Sequence, residues 1–386
     1  MAKAYSDLKN DIGDVTHGSI SDAAWLRLIN RSVSEVVNDA DLKSLRRKAA
    51  VSPFLFEDIY DYSAPSDIKG QSVIDIIPQT NRDETSEFTL TSPEEFDRKK
   101  QSEKYLMSVS HNGTGKTLRV AAEVDDTTLV ISDMDGLYSG GGEWKSYGDG
   151  TNLTEDSDYV VKGSSSINWD INDSGNTTAG IYNDDLDTFD ITEFITGSSI
   201  FVWVYITYTT GLTNFIIRIG ADASNYYTKT ITTTNSGTAF NTGWNLLRFD
   251  FASSTKSGTF NTDACKYVAL FMTKAGSKVS ETDYRFDYLQ IKKGNYFDLA
   301  YYSRYAWTES TGATRLESST AITDLLVADP EEYNLFVLKG KQNILDHFKN
   351  ISNLDDVILA KKDYKETLYA YQMLYPSESK VLINSY

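Results

Sequence analysis

The chain has 386 residues, 40% of them hydrophobic, with 25 Tyr, 17 Phe, 6 Pro and a formal net charge of −18 at pH 7. The length predicts two or three domains, and the aromatic share favours β-structure. The acidic balance argues against a nucleic-acid surface over the whole protein and against adhesion to an anionic membrane, and the single Cys265 excludes an internal disulfide. The opening residues contain no apolar h-region and no run approaches a membrane span. The expectation is a soluble protein made in a cytoplasm, in which the Asn-x-Ser/Thr triplets at Asn112, Asn152 and Asn176 carry no glycan.

Within 19–42, Trp25, Leu28, Ile29, Val33, Val36 and Val37 recur at spacings of three and four, which predicts an amphipathic helix. Ser19 and Asp22 read as its capping box, worth about 1 kcal/mol. Asp41 is then positioned to cap a short second helix, DLKSLRRKAA, whose Lys43, Arg46, Arg47 and Lys48 are the densest basic run in the chain. A solvated face and a contact with an acidic partner both account for such a run. From Phe54 the chain alternates apolar with polar, punctuated by Pro65, Gly70 and Pro78, and predicts strands joined by turns. FTLTSPEEFDRKK predicts a strand and a short helix or turn, YLMSVSHNGTGKTLRVAAE a hairpin around 112–115, and TTLVISDMDGL one more strand.

At about Tyr138 the composition shifts, with Gly140-Gly141-Gly142 as a joint. From there to about Lys293, short aromatic and β-branched strands alternate with Gly, Asn, Asp, Ser and Thr turns, which predicts a sandwich or jelly roll. After Gly294 comes one more extended segment; Asp329, Pro330 and Glu332 then open a helix with the stripe Tyr333, Phe336, Val337, Ile344, Leu345 and Phe348. Gly340 interrupts it at a cost of about 1 kcal/mol against Ala, which would mark a close helix approach. Ser352 or Asn353 caps a last helix carrying Leu354, Val357, Ile358, Tyr364, Leu368 and Tyr371, and Pro376 ends it. In the tail, Val381, Leu382 and Ile383 suggest docking on another subunit, with a frayed end as the alternative.

The two ends share one style and the middle has another, which predicts an inserted domain: 1–137 and 294–386 form the host, 138–293 the insert. The terminal helices are expected to pack into one body. The expected fold class is α+β, a helical body with a small β-element interrupted by an antiparallel β-sandwich (jelly roll).

Few residues point to chemistry. GTGKT at 113–117 lacks the first Gly of a phosphate loop, and TLRVAA after it reads as a strand, so a hairpin turn is the better reading. DINDSGN, from Asp170, has Ile181 where a calcium loop needs Glu. His17, His111 and His347 lie in three elements, so no zinc site is visible, and there is no Gly-x-Ser-x-Gly elbow. No enzyme activity and no cofactor is expected.

The two ends together resemble the head–tail connector, or adaptor, proteins of tailed bacteriophages. The stretches that carry this are LINRSVSEVVNDADLKSLRRKA, PFLFEDIYDYSAPSDIKGQSVIDIIPQ and SPEEFDRKK, then FDLAYYSRYAW, ADPEEYNLFVLKG and YQMLYPSE. The middle resembles jelly-roll domains of the carbohydrate-binding-module type, through GSSSINWDI, TGWNLLRFDF and YRFDYLQIK. The first resemblance implies a structural virion protein without catalytic duty, assembled in the host bacterial cytoplasm. It would form a homo-oligomeric ring of about twelve below the portal protein, with double-stranded DNA passing through the lumen. Lys43, Arg46, Arg47 and Lys48 would then meet the portal, a neighbour or the DNA, and the tail with Val381, Leu382 and Ile383 would reach the portal. The second resemblance implies a structural calcium on Asp287 and an exposed aromatic face for sugar. Trp203, Tyr205, Tyr226 and Tyr227 are the rings that would supply it, with core packing as their alternative fate. The competing reading is a glycan-binding adhesion or tail-fibre component, in which the sandwich does the work.

Overall fold

The structure, a computed structural model, describes residues 2–13, 20–78, 87–111, 116–124, 127–172, 175–275, 280–312, 314–347 and 354–378. The first two helices are α1 (Tyr5–Gly13), which the sequence pattern did not announce, and the amphipathic α2 (Asp22–Asp39). The cap of α2 is Ser21, whose hydroxyl accepts from the Ala24 amide at 3.4 Å; the expected cap, Ser19, lies outside the described residues. Helix α3 (Pro93–Lys99) is capped by Ser92. Helices α4 (Pro330–His347) and α5 (Leu354–Leu374) come last. At the start of α4 the Glu332 carboxylate accepts from the Asp329 amide at 3.0 Å, the return half of a capping box.

Residues from the two ends share one core. Leu8 and Ile12 of α1, Ile29 and Val36 of α2, Phe336 of α4 and Tyr371 of α5 are all buried in it. Gly340 allows the closest approach: a Cβ there would lie 2.2 Å from Ile12 Cδ1. Only Val357, Tyr364 and Tyr371 of α5 are buried, at a spacing of seven, while Leu354 and Ile358 of the expected stripe face outward. A four-stranded sheet, Ala2–Ala4, Leu325–Val327, Trp307–Thr308 and Arg315–Leu316, completes this end of the molecule.

The body outside the sandwich is not the helical one expected. Besides the sheet just described it holds a three-stranded sheet, Arg46–Leu55, Asn295–Ser303 and Ile68–Pro78, and a four-stranded sheet, Asp61–Ser63, Lys116–Ala121, Leu106–His111 and Thr89–Leu90. Most of the chain outside turns is strand, so the fold is dominated by sheets. The second helix expected at 41–50 is also absent. After a single 3-10 turn at Lys43–Leu45 the chain enters Arg46–Leu55, which pairs antiparallel with Asn295–Ser303. A partner strand some 250 residues away in sequence outweighs the local helical preference of this segment.

Two antiparallel sheets of six strands make the sandwich. One runs Gly150–Asp156, Ser166–Ile171, Glu281–Lys293, Ser198–Ile206 and Gly243–Asp250, with Thr128–Ser132 added beside Glu281–Lys293. The other runs Thr255–Ser257, Asn225–Ile231, Leu212–Asp222, Tyr267–Lys274, Thr178–Asn183 and Lys145–Gly148. Thr128–Ser132 moves the sandwich's first edge upstream of the shift at Tyr138, because Ile131 and Met134 are buried in its core. The Gly140–Gly142 run therefore lies inside the sandwich and does not join it to the body.

A third core lies where sandwich and body meet. It unites Phe56, Tyr62, Val109 and Leu118 of the body with Phe201 of the sandwich, and Leu246 packs against it.

Candidate functional site

On the Ser198–Ile206 strand the two-residue period sends Ile200, Val202, Val204 and Ile206 into the sandwich core. Phe201, Trp203 and Tyr205 are left for the outer face. The neighbouring strand sets Trp244 opposite Tyr205, Leu246 opposite Trp203 and Arg248 opposite Phe201. On Glu281–Lys293 a bulge at Tyr288, held at φ 52°, shifts the alternation so that Phe286, Leu289 and Ile291 all stay in the core. A tyrosine in the left-handed region is strained, and this one lines the cleft described next.

The outer face is covered at both ends and open in the middle. At one end Phe56 of the body meets Phe201 edge to face at 5.0 Å, and the Arg248 guanidinium lies 4.8 Å from the Phe56 ring. At the other, Tyr159 packs on Tyr205 at 5.1 Å, and Arg285, paired to Asp156 at 2.6 Å, lies against both rings. Between them Trp203, Trp244, Tyr288 and Gln290 line a cleft of about 570 Å³, a size typical of small-ligand sites.

Three walls rise around it. The first is the loop bearing Val161 and Lys162, whose amides donate to Asp287 Oδ2 at 2.7 and 3.1 Å. The second is the turn at 234–241. There the Asn235 amide donates to the Leu246 carbonyl at 2.8 Å, and Asn235 Nδ2 donates to the carbonyl of Asp61. Gly237, at φ 76°, sits so close to the body that a Cβ would lie 2.6 Å from Ser63 Oγ. The third wall is the body itself, with Tyr60, Asp61, Lys100 and Arg119.

Charge in the cleft is largely matched within the chain. Arg119 bonds Asp61 at 3.0 Å and Asp97 at 2.6 Å, and Lys100 bonds Asp97 at 2.9 Å. Hydrogen bonds from Arg119 and then Lys100 hold the Asp97 carboxyl well below the usual carboxylate range. Lys162 lies 3.9 Å over the Tyr288 ring and Lys292 donates to Thr128 at 3.3 Å.

The expected glycan-facing rings divide. Trp203 lines the cleft and Tyr205 stands at its Tyr159 end. Tyr227, on the second sheet, packs against the core beside Phe251 and Phe260. Tyr226 lies on that sheet's outer face with Tyr267 and Arg218, away from the cleft. Trp244 and Tyr288 lie within stretches already singled out for their style, and their alternation could have marked them. Asn235 and the body residues carry no local signal.

Asp287 is fully buried, and its Oδ1 accepts no hydrogen bond from the described residues. Burial raises its pKa, the two amide bonds oppose this, and Asp135 and Asp133 add to the rise. The donor set around it does not fit the expected calcium. Two N–H groups take one oxygen, and among the described residues no three His, Cys, Asp or Glu side chains come together as a metal group.

The basic run is engaged inside the chain. Lys43 lies 5.4 Å over Tyr375, Arg46 pairs with Glu378 at 3.0 Å, Arg47 with Asp67 at 2.6 Å and Lys48 with Asp298 at 2.5 Å. The strand conformation of 46–55 splits Arg46, Arg47 and Lys48 between two faces, where each of the three finds a carboxylate. Val381, Leu382 and Ile383 lie outside the described residues. Lys116 and Thr117 of GTGKT begin a strand, and Lys116 Nζ donates to the Ile68 and Gly70 carbonyls. Among the described residues no helix is long and apolar enough to cross a membrane.

No protein-family model matches the chain, and no curated protein matches it. Solved structures similar to part of it include carbohydrate-binding modules at low identity. The family 30 module of a cellulosomal cellulase of Clostridium thermocellum is 12% identical, with 43% of this chain and 98% of that one covered, at a TM-score of 0.31. The family 22 module of a Clostridium thermocellum xylanase is 15% identical over 41% of this chain and 92% of that one, at 0.24. A structure from the same organism that joins a family 22 module to a xylanase module, solved with xylohexaose, is 18% identical over 43% and 28%, at 0.26. Likeness at these TM-scores carries no argument for function, and none of the comparisons supports a head–tail connector.

Proposed function

We propose that this chain is a glycan-binding protein and that the cleft over Trp203 and Trp244 holds the saccharide. The observation that carries this is the combination on one open patch: two indoles and the ring of Tyr288, whose backbone is held in the left-handed region, line a cleft whose walls are rich in amide and hydroxyl side chains. A pyranose has apolar C–H faces and a polar edge. Aromatic rings take the first and amides and hydroxyls the second, so this mixture suits a sugar better than a purely apolar ligand. The role is binding without catalysis. Of the two carboxylates lining the cleft, Asp61 is already committed to Arg119.

The test is a glycan array probed with the full chain, with Trp203→Ala and with Tyr226→Ala. The expected result is retention of at least one saccharide class by the parent and by Tyr226→Ala, and its loss in Trp203→Ala. Retention by none, or unchanged retention in Trp203→Ala, overturns the proposal.

A further inference from the structure

Asn235 holds a position that neither sandwich nor body could define alone. Its backbone is bonded to the sandwich strand at Leu246, and its side chain is bonded to the body at Asp61. The Asp61 carbonyl can only accept, so the Asn235 side chain must turn its NH2 group toward it. That leaves Oδ1 pointing away. Asn235 is 7% exposed, it lines the cleft, and its Oδ1 accepts no hydrogen bond from the described residues. A buried amide oxygen without a donor is a standing cost to the fold, and the Asn245 amide, in the same wall, has no donor to spare. Asn245 Oδ1 is taken by the Asn241 amide, while its NH2 group is spent on the Asn241 and Gly243 carbonyls.

Resting on the glycan reading above, we propose that Asn235 is the cleft's specificity-determining acceptor, reading a free hydroxyl of a neutral saccharide stacked on Trp203 and Trp244 at the junction of sandwich and body. Neutrality follows from the charges. Arg119 and Lys100 are paired to Asp61 and Asp97, Lys162 lies over the Tyr288 ring and Lys292 donates to the Thr128 hydroxyl, so each of the four cations lining the cleft already has a partner within the chain. The ligand must offer a donor where Oδ1 waits. A site built around a hydroxyl rejects an analogue that lacks it far more strongly than an apolar pocket rejects a methylene. The body takes part through the Asp61 carbonyl, which fixes the amide, and through Tyr60 and Lys100, which form the facing wall.

The test is calorimetric titration of the full chain with cellohexaose, xylohexaose and mannohexaose, and with permethylated cellohexaose. The parent is expected to bind at least one of the three free hexasaccharides and not the permethylated one. Asn235→Ala is expected to weaken that binding by about tenfold or more, with thermal unfolding recorded to show that the variant is folded. Binding of the permethylated sugar by the parent, a reading that needs no variant, overturns the proposal. So does a folded Asn235→Ala that binds as the parent does while Trp203→Ala does not, which leaves the glycan reading intact and marks the amide as one that holds only water. If none of the three neutral sugars binds, the inference fails, and the glycan reading stands or falls with the array alone.

Discussion

Phe201 projects from the sandwich and meets Phe56 of the body edge to face, with ring centroids 5.0 Å apart. Both rings are buried in a core that also takes in Tyr62 and Leu118. The sandwich and the sheets of the body are therefore coupled through packed aromatic surface. A passenger on a flexible joint would show no such core.

This coupling predicts the unfolding of Phe56→Ala. Truncating a buried Phe costs about 3–5 kcal/mol, and here the loss falls on both partners. Calorimetry of the full chain should show the sandwich transition moving down together with that of the sheet body. A sandwich transition that stays in place while only the body melts earlier would contradict the shared core.

Gly340 predicts a substitution that goes against helix propensity. Ala should favour a helix by about 1 kcal/mol over Gly, yet its Cβ would lie 2.2 Å from Cδ1 and 2.8 Å from Cγ1 of the fully buried Ile12. Overpacking of this kind costs about 1–3 kcal/mol, so Gly340→Ala is expected to lower stability. Adding Ile12→Val, which removes Cδ1, should recover part of the loss. Denaturant titration of the two single variants and the double variant measures this. A stabilised Gly340→Ala would mean that α1 does not pack as described.

Asp287 sets calcium against plain burial. Its raised pKa means that the folded state holds its proton more tightly than the unfolded chain. The charged form is thus a cost at neutral pH, and that cost is relieved progressively as the pH falls through the raised value toward the ordinary 3.8 of the unfolded chain. Asp287→Asn can still accept from the Val161 and Lys162 amides, and should leave stability at pH 7 unchanged or higher. Asp287→Ala strands those two amides and should lower it by about 1–3 kcal/mol. Melting with calcium and with chelator should agree for the parent. A calcium-dependent rise lost in Asp287→Asn would restore the metal expectation.

Asp67 has the opposite sign. Burial raises its pKa, but bonds from Ser303, Tyr301 and Arg47 outweigh that and hold it below the ordinary 3.8. Its contribution is then complete above 3.8 and is lost as pH falls through the lowered value. Asp67→Asn should cost about 1–3 kcal/mol at pH 7, and the gap to the parent should narrow as the pH falls below 3.8. Denaturant titration at the two pH values checks this, and an unchanged gap would contradict it.

Local chemistry was well legible where the signals were local. The Asp329-Pro330-Glu332 start of α4, the Gly340 close approach, the hairpin strands Leu106–His111 and Lys116–Ala121, and the aromatic strands of the sandwich all follow from spacing and turn residues. The errors come from distant partners. Arg46–Leu55 looks helical until Asn295–Ser303 lies beside it, and this and similar pairings turn a body expected to be helical into one built on sheets. The cleft is hidden for the same reason. Trp203 and Tyr205 could be read from alternation, and Tyr226 and Tyr227 shared that pattern but sit on the other sheet. Asn235 acquires its place only through Asp61, 174 residues away in sequence.

The most direct measurement is the position of an array-selected saccharide in a crystal of the full chain. The expected result is a sugar ring stacked on Trp203 or Trp244, between the 234–241 turn and Tyr60. A sugar bound on the outer face of the second sheet around Tyr226, or a chain that retains no saccharide, would contradict the account.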